Sequence, residues 1–171
     1  MHIMKNQTHL QAEISIQAPP ADVWSALSNL SLVQQYTPGV KLARHTTEQR
    51  QGVGAGRHCD LEPFGSVEEV VTEWQENRRL VLAITAGAGI PPIREMTGRF
   101  DLIPAGSETL VRTLVSYTPE YGWVGRLLGK LAIKPRFQSM LRGMLEGLKE
   151  YVEDRVLSPE VVKFNAARPT A

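Results

Sequence analysis

The stretch His9-Leu-Gln-Ala-Glu-Ile-Ser-Ile-Gln-Ala-Pro-Pro-Ala-Asp-Val-Trp24-Ser-Ala-Leu-Ser-Asn-Leu30 changes its period halfway along. Up to Gln17 it alternates. Leu10, Ala12, Ile14 and Ile16 stand between polar neighbours, the pattern of a strand with one buried face. Ala18-Pro19-Pro20 ends that strand. From Pro20 onward Val23, Trp24, Leu27 and Leu30 fall at helical spacing, which predicts a short amphipathic helix with a proline near its first turn. Ser31 is placed to cap a second short helix carrying Leu32, Val33 and Tyr36, which Pro38-Gly39 stops.

Downstream the text becomes a series of strand runs. They cover residues 40–47, 56–62, 65–74, 80–85, 94–103 and 109–118, separated by Gly-rich loops at 52–56 and 87–92 and by turns at 63–65, 76–78 and 104–107. Links of hairpin length predict an antiparallel meander. Residues 122–154 then change period again. Val124, Leu127, Leu131, Met140, Met144 and Leu148 recur at three- and four-residue steps, so a long amphipathic helix is expected, kinked or split near Lys134 by Pro135. The fold class that follows is α+β: a curved seven-stranded antiparallel sheet around a long C-terminal helix, with two short helices after strand 1. Such a layout leaves room for a cavity between sheet and helix.

Composition restricts the function. The 171 residues suffice for one domain with a core of its own. We expect that domain to span 8–154, with an extension at 1–7 and a tail at 155–171. Nineteen Lys+Arg against eighteen Asp+Glu leave a formal charge of +1, which gives no global field to recruit nucleic acid. Met1–Gln7 lacks the apolar run of a signal peptide, and the single Cys59 fits a reducing compartment, so a cytoplasmic location is expected.

Specific residues carry a family resemblance. Ile14-Ser-Ile-Gln-Ala-Pro-Pro-Ala-Asp-Val-Trp24-Ser-Ala-Leu27, then Val53-Gly54, then Glu69–Trp74 followed by Arg78-Arg79-Leu80, and finally Thr109–Val111 leading to Tyr117 resemble the START/Bet v 1-like (SRPBCC) superfamily. The likeness is to its bacterial polyketide cyclase/dehydrase-like branch and spans roughly residues 8–154. It implies a helix-grip fold and a ligand-binding cavity. It allows two further activities: folding and dehydration of a polyketide chain, as in an aromatase/cyclase, or lipid or quinone carriage at a membrane. For the cyclase activity the candidate groups are Tyr117, Arg57 and His58, although no catalytic motif stands behind them.

The residues themselves nominate a site. Arg44 is in phase with Val40 and Leu42, and Arg57 with Cys59 and Leu61, so two guanidiniums are expected to face the cavity. A buried arginine requires an anionic or hydrogen-bonding partner, which a ligand carboxylate or an internal acid such as Glu73 would supply. Thr85, Thr113 and Tyr117 offer orienting hydroxyls. Met96 and Phe100 flank Gly98, whose missing side chain opens space, and Phe137, Met140 and Met144 face them from the helix. Mostly apolar walls with few polar groups are what a small-molecule pocket uses, while plain core is the alternative for each wall residue. The two Gly-containing loops are candidates for gating it.

No cofactor or metal is expected. The four histidines are scattered, and His58 and Cys59, adjacent on a strand, point to opposite faces. Finally, Trp123, Arg126, Lys130 and Lys134 form a basic stripe in a segment, 121–142, that holds no acid. A helix of that kind can lie on an anionic membrane; the plain alternative is a solvated face. The expected partner is therefore a small hydrophobic molecule, with peripheral membrane contact and either a monomer or a homodimer allowed.

Overall fold

The computed structural model describes residues 7–63, 65–90, 93–119 and 134–157. Its elements are β1 (Thr8–Ile16), α1 (Pro20–Ser28), a 3-10 turn (Leu30–Leu32), α2 (Val33–Tyr36), β2 (Val40–His45), β3 (Gly56–Leu61), β4 (Gly65–Gln75), β5 (Arg79–Ala86), β6 (Ile93–Ala105), β7 (Glu108–Pro119) and α3 (Lys134–Leu157). The seven strands form one curved antiparallel sheet in the order β1-β7-β6-β5-β4-β3-β2. This is the helix-grip fold, with α3 laid across the concave face.

The first and last strands pair, so Leu10 stands opposite Val115 and Ile14 opposite Val111. The chain must then reach the far edge at β2, and α1 and α2 carry it across. Pro20 starts α1, where its missing N–H costs nothing, and Asp22 favours the positive end of the short helix. Val23, Trp24, Ala26 and Leu27 are buried on one face. Trp24 meets Trp74 edge-on, with ring centroids 5.0 Å apart, and so locks α1 to β4. Ser31 does not cap a helix. Its hydroxyl donates to Asn29 Oδ1 (2.8 Å), and Leu30–Leu32 tighten into the 3-10 turn instead.

Along α3, Leu141, Leu145, Leu148 and Val152 are buried, a stripe at the expected three- and four-residue steps. Each such leucine contributes roughly 1.5–3 kcal/mol through burial. Pro135 lies in the first turn of α3, the one place where a proline interrupts no helical hydrogen bond. The expected upstream portion of this helix, residues 122–133, lies outside the described residues. No described helix is long and apolar enough to cross a membrane.

Candidate functional site: a hollow between sheet and helix

The core is not uniformly filled. At the N-terminal half of α3 a hollow of about 110 Å³ separates helix from sheet. Its walls come from the inner face of the whole sheet, from Leu10 on β1 to Val40 on β2, from Val33 and Thr37, and from Phe137, Met140, Leu141 and Met144 of α3. The size is less than the several hundred Å³ of a site for a drug-sized molecule. An engineered cavity of roughly 150 Å³ takes up benzene, and this hollow is somewhat smaller. Three of its walls are methionines, Met96, Met140 and Met144, whose unbranched chains yield readily.

Gly98 creates part of the space. It lies on β6 opposite Leu82, and a Cβ there would meet only the Ile84 Cδ1 atom, at 3.4 Å. A Cβ at this position strikes no backbone.

The polar groups of the wall are gathered at one corner. Arg57 is 5% exposed and Glu69 8%. The Arg57 guanidinium donates through Nε to Glu69 Oε2 and through Nη1 to the Leu30 carbonyl oxygen (2.9 Å). Burial works against the guanidinium charge, but the Glu69 carboxylate outweighs it and holds Arg57 protonated. The Cys59 thiol points at the same carboxylate, 3.6 Å from Oε2. Burial, with Glu69 adding to it, pushes that thiol up to about 12, so Cys59 is a neutral wall residue and not a nucleophile at neutral pH. Burial likewise pushes Tyr36 up to about 12, with Glu69 assisting and Arg57 opposing. Thr37 completes the corner. It is 7% exposed, and its Oγ1 has no hydrogen-bond partner among the described residues.

Of the residues nominated from sequence, Arg57, Cys59, Met96, Phe100, Phe137, Met140 and Met144 line the hollow. Arg44 does not: a register shift between Val40 and Leu42 reverses the phase of β2, so Ala43 faces inward and Arg44 is exposed. Thr85 is exposed because β5 buries Leu80 and Leu82 on the opposite parity. The acid that meets Arg57 is Glu69. Glu73 lies beyond a shift in β4 between Val71 and Glu73, where it accepts from Gln75. Of the two proposed gating loops, 86–90 contributes Ile90 to the wall and 52–56 contributes nothing.

Tyr117 is buried outside the hollow. It packs on Phe137 with centroids 5.9 Å apart, and burial raises its hydroxyl despite a hydrogen bond with Thr8. His58 faces away from the interior. Its Nδ1 meets Glu68 and its Nε2 meets Asp60 Oδ1 (2.9 Å), and these two hydrogen bonds raise its pKa, the one to Glu68 most. Among the described residues no cluster of His, Cys, Asp or Glu could hold a metal ion. Trp123, Arg126 and Lys130 lie outside the described residues; Lys134 is exposed at the start of α3.

Thr113 is fully buried in β7 and does not line the hollow, and its Oγ1 has no partner among the described residues. An unmade hydrogen bond in the core costs free energy that an isosteric methyl does not. Thr113→Val is therefore expected to raise stability by about 1 kcal/mol in urea titrations, with ligand uptake unchanged.

Residues 7–153 match the family described as polyketide cyclase / dehydrase and lipid transport. Among solved structures, the Zhui aromatase/cyclase from Streptomyces sp. R1128 is 15% identical with a TM-score of 0.74, covering 88% of this chain and 96% of that one. TTHA0849 from Thermus thermophilus is 23% identical, TM-score 0.69, over 85% and 97%. A point mutant of Thalictrum flavum norcoclaurine synthase, in complex with a transition state analogue, is 13% identical, TM-score 0.69, over 90% and 99%. At such identities the likeness establishes the fold alone. No curated protein matches the sequence.

Proposed function

The chain belongs to the polyketide cyclase / dehydrase and lipid transport family, within the START/Bet v 1-like superfamily, and from that premise we propose that it binds one small apolar or amphipathic molecule whose buried part is about one ring in size. The observation that carries this reading is the hollow itself: an apolar space against α3, with its polar groups confined to one corner. Binding draws on burial of apolar area, and the corner fixes orientation. The norcoclaurine synthase structure, in complex with a transition state analogue, supports a ligand-holding use of this fold.

The cyclase alternative needs an acid or base placed in the hollow. Of its three candidates only Arg57 lines the space, and a guanidinium tied to Glu69 is a poor proton donor or acceptor. Tyr117 and His58 face elsewhere. Binding is therefore the reading that the geometry supports better.

Native mass spectrometry tests it. Freshly purified protein is expected to carry a passenger, or to take up toluene or indole when offered. Gly98→Leu fills the hollow from its sheet wall, so it should lose that uptake while unfolding at an unchanged or higher urea midpoint. If the wild-type protein takes up no single-ring hydrophobe, or if Gly98→Leu takes it up equally well, the reading fails.

A further inference from the structure

We propose that the hollow selects an uncharged ring compound bearing one hydroxyl or carbonyl group, held by the Thr37 hydroxyl, and turns away carboxylates. The inference rests on the ligand-binding reading above and adds the chemistry of the ligand's polar end.

Two observations meet at the corner. The first concerns charge. Among the described residues, Arg57 and Glu69 are the charged side chains that line the hollow, and each neutralises the other. A ligand carboxylate would have to displace Glu69 or share Arg57 with it. Either way one negative charge too many would be buried among apolar walls, which is strongly unfavourable. The arginine is thus unavailable as an anion anchor although it faces the space.

The second concerns hydrogen bonding. Thr37 follows directly on α2, and its backbone N–H donates to the Val33 carbonyl oxygen (2.9 Å). Thr37 lines the hollow, and its hydroxyl, buried from solvent, has no hydrogen-bond partner among the described residues. A hydroxyl can both donate and accept. A purely apolar ligand leaves this group as it is, unpaired, while a phenol, alcohol or ketone that reaches it supplies the bond it lacks.

The test is calorimetric titration at neutral pH with three probes of matched shape: toluene, p-cresol and p-toluate. Wild-type protein should bind p-cresol about three- to tenfold more tightly than toluene, the worth of one net hydrogen bond. It should show no detectable binding of p-toluate. Thr37→Val should bring p-cresol down to the level of toluene and leave toluene itself unaffected, and Thr37→Ser should keep the preference. If p-toluate binds as well as p-cresol, or if wild-type protein or Thr37→Ser shows no preference for p-cresol over toluene, the proposal is overturned while ligand binding stands. Persistence of the preference in Thr37→Val overturns it too. If none of the three binds wild-type protein, the ligand-binding reading falls and this proposal with it.

Discussion

Gly147→Ala is expected to unfold the protein at a much lower urea concentration than wild type, whereas Gly143→Ala, one turn earlier, should raise the midpoint. At Gly147 the backbone of α3 lies directly on the end of α2. A Cβ there would sit 1.9 Å from the Tyr36 carbonyl oxygen and 3.0 Å from its carbon. Overpacking costs roughly 1–3 kcal/mol when side chains can give way. Here the obstacle is backbone, so α3 must withdraw and take Leu145 and Leu148 out of the core. A net loss of at least about 3 kcal/mol follows, even after the roughly 1 kcal/mol that alanine gains over glycine in a helix. Gly143 is different, because its Cβ would touch only the Pro38 ring, at 3.6 Å. That is ordinary contact, so Gly143→Ala should gain up to about 1 kcal/mol from helix propensity. The two variants change the same atom on the same helix. Equal midpoints for both would mean that α3 does not seat on Tyr36, and the hollow beside it would lose its geometric basis.

That close approach shows what the sequence can and cannot say. Glycines at 143 and 147 read alike along the chain, as weak points of helix propensity, and only the partner across the contact separates them. The sheet is more legible. Alternation places Leu10 and Ile16 of β1, and Met96, Phe100, Val111 and Val115 of β6 and β7, on the buried face. Counting by twos holds while a strand stays regular. It fails in β2, where the shift after Val40 turns Arg44 outward. It fails again in β4, where the shift before Glu73 leaves Glu69 as the acid facing Arg57. Thr85 is a different case: the same alternation that buries Leu80 and Leu82 puts it outside. Thr37 gives no periodic signal at all. It follows a four-residue helix, and Thr-Pro-Gly marks a turn without telling where the hydroxyl points.

Glu69→Leu is expected to cost about 3–5 kcal/mol, because it leaves Arg57 charged and buried without its partner. Arg57→Met should cost less. A carboxyl group stranded in the core can take up a proton and become neutral, while a guanidinium cannot shed its own. The double variant Arg57→Met with Glu69→Leu should recover most of the loss, since matched apolar side chains often replace a buried ion pair at little or no cost. Urea titrations of the four proteins close the cycle, and a double variant less stable than both singles would sink the account. Stability is not all that the pair provides. Arg57 also holds the Leu30 carbonyl oxygen, at the start of the short segment that leads into Thr37. The double variant keeps the core neutral but loses that tether. It should therefore fold and still take up toluene, yet lose its preference for p-cresol, because the hydroxyl that reads the ligand is no longer held in place. Charge balance and ligand selectivity are thereby separable: the first survives replacement by apolar groups, and the second needs the guanidinium's hydrogen bond to the Leu30 carbonyl oxygen.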